Sequence, residues 1–144
     1  MTLTVVLDTN VVLDLWHFDD ARSRELRSKV ETRALRVVTS GALDDELRDV
    51  LSRDAFVVSR DNVLARWRAL AVRVEVTTPA PWLCRDPDDQ KLVDLAVSAR
   101  AAALISKDKA LLALARRARS LSLQIVTPED FIAALPGQTR VYSE

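Results

Sequence analysis

The sequence predicts an α/β domain, with helices covering both faces of a central, mostly parallel sheet of four or five short strands. Three observations lead there. Short β-branched apolar runs alternate with amphipathic helical patterns along the whole chain. Those runs are apolar at consecutive positions, as strands buried on both faces are. A length of 144 residues with 49% hydrophobic content suits one domain with one core, without a structural metal or disulfide.

Residues 3–7 form the first such run and end at Asp8. Residues 19–34 read as a helix capped by Asp19 or Asp20, with Leu26 and Val30 inward and a basic outer face of Arg22, Arg24, Arg27, Lys29 and Arg33. A second strand spans 35–39, and Ser40 caps a helix over 41–52 with Leu43, Leu47, Val50 and Leu51 at helical spacing. Ser59 caps a helix over 60–72 carrying Val63, Leu64 and Trp67, and 72–76 reads as an edge strand. Thr78-Pro79-Ala80-Pro81 is a turn or extended loop, because each proline restricts the residue before it. Asp86-Pro87 is an N-cap followed by proline at the first helical position. A strand over 102–106, a helix over 109–119 and a last strand over 121–126 follow. Thr127-Pro128 then opens a short helix that Pro136-Gly137 ends. The single domain is expected over 1–137, with a flexible tail at 138–144.

Composition removes several classes of chemistry. Lys plus Arg and Asp plus Glu are each 21, so no uniformly basic nucleic-acid surface is expected. Two glycines, Gly41 and Gly137, exclude a Gly-rich phosphate loop. One histidine, His17, and one cysteine, Cys84, exclude a His- or Cys-based zinc site and an internal disulfide. Cys84 reads as an inert thiol, and His17 as a packed or exposed side chain. No apolar run approaches the roughly 18–20 residues that span a bilayer, and the N-terminus lacks a signal-peptide pattern. A soluble cytoplasmic protein is expected.

Chemistry therefore rests on carboxylates. In open parallel sheets, sites form outside the carboxyl ends of the strands. That rule selects Asp8 after the first strand and Asp108 after the 102–106 strand. Glu46 and Asp89 lie in helices entered from the same edge. Each acid also has a plainer reading: N-caps for Asp8 and Asp108, a solvated helix face for Glu46, and a helix-dipole charge for Asp89. Taken together, converging carboxylates repel one another unless a cation lies between them. A hard divalent ion with oxygen ligands, Mg²⁺ or Mn²⁺, suits such a set.

These stretches resemble a known family. Val6-Leu7-Asp8-Thr9-Asn10, Ser40 followed six residues later by Glu46-Leu47, Asp86-Pro87-Asp88-Asp89 leading to Leu95-Ala96, and Leu104-Ile105-Ser106-Lys107-Asp108 are together similar to PIN domains. Thr127 to Phe131 resembles the end of many such domains. The resemblance covers about residues 3–135 and implies a three-layer α/β/α PIN-like fold. It places the family's four acids on Asp8, Glu46, Asp89 and Asp108, with Thr9, Asn10 and Ser106 as supporting polar positions. Ser106 stands where threonine is commoner and keeps the hydroxyl. Asp86, Asp88 and Asp94 compete for the third place; Asp89 is preferred because it precedes Ala96 by seven residues. Asp44 and Asp45 compete in the same way with Glu46.

The resemblance further implies a metal-dependent ribonuclease, typically the toxin of a bacterial toxin–antitoxin pair. In that reading Asp8, Asp89 and Asp108 hold a metal ion, and Glu46 holds a second ion or orients the water; the sequence does not separate one ion from two. Implied partners are an RNA substrate, an antitoxin whose basic segment blocks the acids, and a homodimer or toxin–antitoxin hetero-oligomer. Trp16 and Phe18 are candidate anchors for apolar antitoxin residues beside helices 11–17 and 41–52. A non-catalytic PIN-like binding protein and an RNA-processing nuclease without an antitoxin are the alternatives. An aspartyl phosphoryl-transfer enzyme is disfavoured, since Asn10 replaces the second acid of its Asp-x-Asp motif.

Overall fold

The computed structural model describes residues 2–136; Gly137 and the tail expected at 138–144 lie outside them. Five strands, β1 (Leu3–Leu7), β2 (Leu35–Thr39), β3 (Ala71–Arg73), β4 (Ala103–Ile105) and β5 (Gln124–Val126), form one sheet in the order β3-β2-β1-β4-β5. Every neighbouring pair is parallel. Eight α-helices are described: α1 (Thr9–Trp16), α2 (Arg24–Glu31), α3 (Gly41–Leu51), α4 (Arg60–Leu70), α5 (Pro87–Ser98), α6 (Lys109–Leu112), α7 (Ala115–Ala118) and α8 (Pro128–Ala134).

The sheet is buried on both faces, which explains its consecutive apolar residues. Val5, Leu7, Val37, Ala103 and Ile105 pack with apolar residues of α1, α2, α4 and α8. Val6, Val38, Leu104 and Ile125 pack on the other face with residues of α5, α6 and α7. The fold is thus a three-layer α/β/α arrangement. Helix α3 joins both cores, giving Leu47 and Leu51 to the first and Leu43 to the second. No helix among the described residues is long and apolar enough to cross a membrane.

Several elements are shorter than the pattern predicts, each for a local reason. The 19–34 helix starts with a 3-10 turn, Ala21–Ser23, capped by the Asp20 side chain. It ends at Glu31, because Arg33 adopts φ 63° on the way into β2. Strand β3 runs over Ala71–Arg73, not 72–76: β2 stops at Thr39, where Ser40 caps α3, so Glu75 and Val76 have no ladder partner. Ser59 does not cap α4 through its side chain; its hydroxyl pairs with His17 Nδ1 at 2.6 Å. The 109–119 helix is split. Leu114 N–H bonds to Leu111 at the tighter three-residue step. That step re-phases the chain so that Leu111, Leu112, Leu114, Ala115 and Ala118 all reach the core. The last strand begins at Gln124, after Ser122 turns the chain at φ 57°.

Candidate functional site

The carboxyl ends of β1 and β4 are adjacent, and the site is built from them. Asp8 occupies the N-cap position of α1 without the side-chain capping bond that Asp86 and Asp108 make to their helices. Its backbone N–H bonds to Ile105 of β4 at 3.0 Å, fixing the residue across the two strands. The carboxylate accepts from the Ser106 hydroxyl at 2.7 Å. Ser106 is fully buried, and its oxygen also accepts the Asp108 N–H at 2.9 Å. One hydroxyl therefore ties the two strand-end acids together. Asp108 does cap α6, accepting the Ala110 N–H at 2.9 Å.

Glu46 is held from the other side. Its Oε2 accepts the Thr9 hydroxyl at 2.5 Å, and its Oε1 pairs with Lys91 Nζ at 2.6 Å. The solvated-face reading of Glu46 therefore does not hold. Asp44 serves the fold instead, accepting from Thr39 and the Trp67 indole, and Asp45 is an exposed partner of Arg48. On α5, Asp86 caps the helix through the Asp88 N–H. Asp89 is buried at 8% exposure, whereas the Asp88 side chain is 82% exposed. Asp94 is engaged by the Ala80 N–H and by Gln90.

The electrostatics agree with convergence. Burial pushes the Asp8 carboxyl above its ordinary range; the Ser106 hydroxyl and the Thr9 backbone N–H oppose this, while the charges of Glu46 and Asp108 add to it. Asp89 is pushed up to about 6, first by burial and then by the charges of Asp108, Asp86 and Asp8. Asp8 thus lies within the field of Glu46 and Asp108, and Asp89 within that of Asp108 and Asp8, although the four come from separate segments. Among the described residues, no three Asp, Glu, His or Cys side chains already stand in the geometry of a metal cage. The donor chemistry nevertheless suits a hard cation, since the set is all oxygen and two members are destabilised by mutual charge.

Of the supporting positions, Thr9 and Ser106 are buried and bonded to the acids, while Asn10 is exposed on α1. Two site residues escape the sequence reading. Lys91 pairs with Glu46; its position two residues after Asp89 was the available signal. Lys107, between Ser106 and Asp108, reaches the buried Asp14 of α1 at 2.5 Å and pins the β4–α6 turn to α1. His17 packs edge-on against Phe18 and Phe56. Cys84 is a half-buried thiol pushed up by burial and by Asp89, Asp94 and Asp86, consistent with inertness. Trp16 is buried with its indole N–H on Glu31, so it is not available as a partner anchor; Phe18 is, at 59% exposure. A cavity of about 740 Å³ lies at the opposite end of the sheet around Thr4, Thr78, Ser98 and Ser122, and none of the four acids lines it.

Comparison with known proteins agrees with this fold. No curated protein matches the chain. Among solved structures, a chain in the crystal structure of VapBC2 from Rickettsia felis, bound to a DNA fragment from their promoter, superposes with a TM-score of 0.62 at 12% identity. The match covers 85% of this chain and 98% of that one, and establishes likeness of fold. The family model of the PIN domain matches residues 4–110, a span from β1 to α6 that includes all four acids. The chain belongs to the PIN domain family.

Proposed function

We propose that this protein is a metal-dependent RNA endonuclease and the toxin of a toxin–antitoxin pair, acting in the cytoplasm. The observation that carries the reading is the Asp8 carboxylate: buried at the carboxyl edge and joined through Ser106 to Asp108. A carboxyl group kept in a place that disfavours its charge is characteristic of functional sites. Asp8, Asp89 and Asp108 would hold Mg²⁺ or Mn²⁺. Such an ion, when bound, supplies polarisation of the scissile phosphate and a water of lowered pKa for in-line attack. Ser106 orients Asp8 by donating to one of its oxygens. Thr9 fixes Glu46 in the same way, and Asn10 on the exposed side of α1 is left to meet substrate. RNA cleavage by the purified chain, with and without EDTA, tests the reading against Asp8→Asn. Cleavage that needs the metal and is lost in the variant is expected. Cleavage insensitive to EDTA, or retained in Asp8→Asn, would refute it.

The antitoxin reading has its own support in the likeness to a chain of VapBC2 and in the surface beside α1. Phe18, Val57 and Val58 are 59%, 61% and 95% exposed, a grouping suited to apolar partner residues. An arginine of the partner would pair with the acids through two parallel hydrogen bonds. Expression alone should arrest growth of the host, and co-expression of the neighbouring gene should relieve the arrest. Harmless expression with no binding neighbour would favour an RNA-processing nuclease.

A further inference from the structure

Glu46 differs from the other three acids in one respect: both of its oxygens are already met by donors of this chain. Oε2 takes the Thr9 hydroxyl and Oε1 takes the Lys91 ammonium. Lys91 is 24% exposed, on the same helix as Asp89, and its other acidic neighbour, Asp88, is 3.9 Å away, beyond hydrogen-bonding reach. Its short contact is therefore with Glu46, inside the site. Asp8 has one oxygen on Ser106, and Asp108 has one oxygen on its own helix. Asp89 has the charges of Asp108, Asp86 and Asp8 about it and no basic partner among its named neighbours. The chain thus supplies a cation to the Glu46 side of the cluster and leaves the side of Asp8, Asp89 and Asp108 without one.

We propose that the Lys91 ammonium occupies the place of a second metal ion, so that this site binds a single divalent cation at Asp8, Asp89 and Asp108. Glu46 is then a positioning residue that holds Lys91, and not a metal ligand. An ammonium is a compact point charge with three donors, able to meet a phosphate oxygen while bonded to a carboxylate. Unlike a metal ion, it cannot be removed by chelation. The inference rests on the metal-dependent reading above.

The test is Mn²⁺ titration of the purified full chain, followed by calorimetry and by electron paramagnetic resonance. The parent chain should bind one Mn²⁺. Lys91→Met should bind two, with the spin-coupled signal of ions roughly 3.5–4 Å apart, and Lys91→Arg should bind one. Glu46→Gln, which keeps the shape of the side chain, should bind one Mn²⁺ with affinity within about twofold of the parent. Two ions in the parent, one in Lys91→Met, or a tenfold or greater loss of affinity in Glu46→Gln overturns the role of Lys91 and leaves the nuclease reading standing. No Mn²⁺ bound to the parent overturns both. If Lys91→Met does not fold, the parent stoichiometry and Glu46→Gln decide the matter alone.

Discussion

Glu31 and Asp89 are both helix-borne carboxylates, the first part-exposed and the second buried, and the fold treats them in opposite ways. Glu31 Oε2 receives the Trp16 indole N–H at 2.9 Å, Arg27 at 3.2 Å and Arg66 at 2.6 Å. Burial raises its proton affinity, but these donors outweigh that and hold the carboxyl below its usual range. Asp89 is pushed up to about 6, surrounded by other acids. The first arrangement joins α1, α2 and α4 by satisfying a charge. The second keeps a charge unsatisfied, a cost that makes sense only where a ligand relieves it. Carboxylates that hold the fold can be told from those that serve the site by the donors around them.

The comparison can be broken most forcefully at Asp8. Asp8→Asn should lower RNA cleavage at least about 100-fold, as loss of a charge directed at the transition state does, with the thermal melt unchanged or raised. A melt lowered by many degrees would class Asp8 with Glu31. Next in size, Glu31→Ala leaves a buried indole N–H and two guanidinium groups without their acceptor. It should cost about 1–3 kcal/mol in urea unfolding, while cleavage per folded molecule stays near the parent value.

Asp89→Asn should act with the opposite sign. The folded-state value of about 6 lies above the ordinary 3.8, so the native state binds this proton more tightly than the unfolded chain. Native stability therefore falls as pH rises from about 4 through about 6. In metal-free protein the asparagine variant should be more stable by about 1–2 kcal/mol at pH 7.5, with the gain gone near pH 4. Melts at the two pH values measure it; an equal gain at both would remove the electrostatic cause. The smallest effect is expected from Asp88→Asn, within about 0.5 kcal/mol of the parent as an exposed surface change, with cleavage retained. A larger loss of cleavage from Asp88→Asn than from Asp89→Asn would exchange their roles.

Much of this organisation is legible in the sequence where one local rule decides. β1 and β2 occupy the expected 3–7 and 35–39, because a run buried on both faces has a single signature. Ser40, Asp86 and Thr127 cap α3, α5 and α8 as their side-chain chemistry predicts. Element ends set by a neighbour are not legible in this way: β3 stops where β2 runs out, and α6 and α7 are split by the demands of the core. The same division runs through the site. The strand-end rule selects Asp8 and Asp108 from the sequence. Lys91 stays hidden because an Asp-Asp-Gln-Lys helix start is ordinary surface chemistry until α3 brings Glu46 to it. Asp14 reads as a polar break in an apolar helix face until Lys107 is seen to reach it.

The hydroxyl bond between Ser106 and Asp8 spans 98 positions of sequence. During synthesis the chain makes Asp8 almost at once and Asp108 a hundred residues later, an interval of roughly 5–20 s at ordinary elongation rates. Until β4 emerges, β1 has β2 on one side only, and its edge toward β4 remains unpaired. No nascent or truncated chain lacking β4 can assemble the acids. Assembly of the four-acid cluster is therefore tied to completion of the sheet as far as β4, so any activity that depends on the cluster is withheld by topology until the chain is nearly complete.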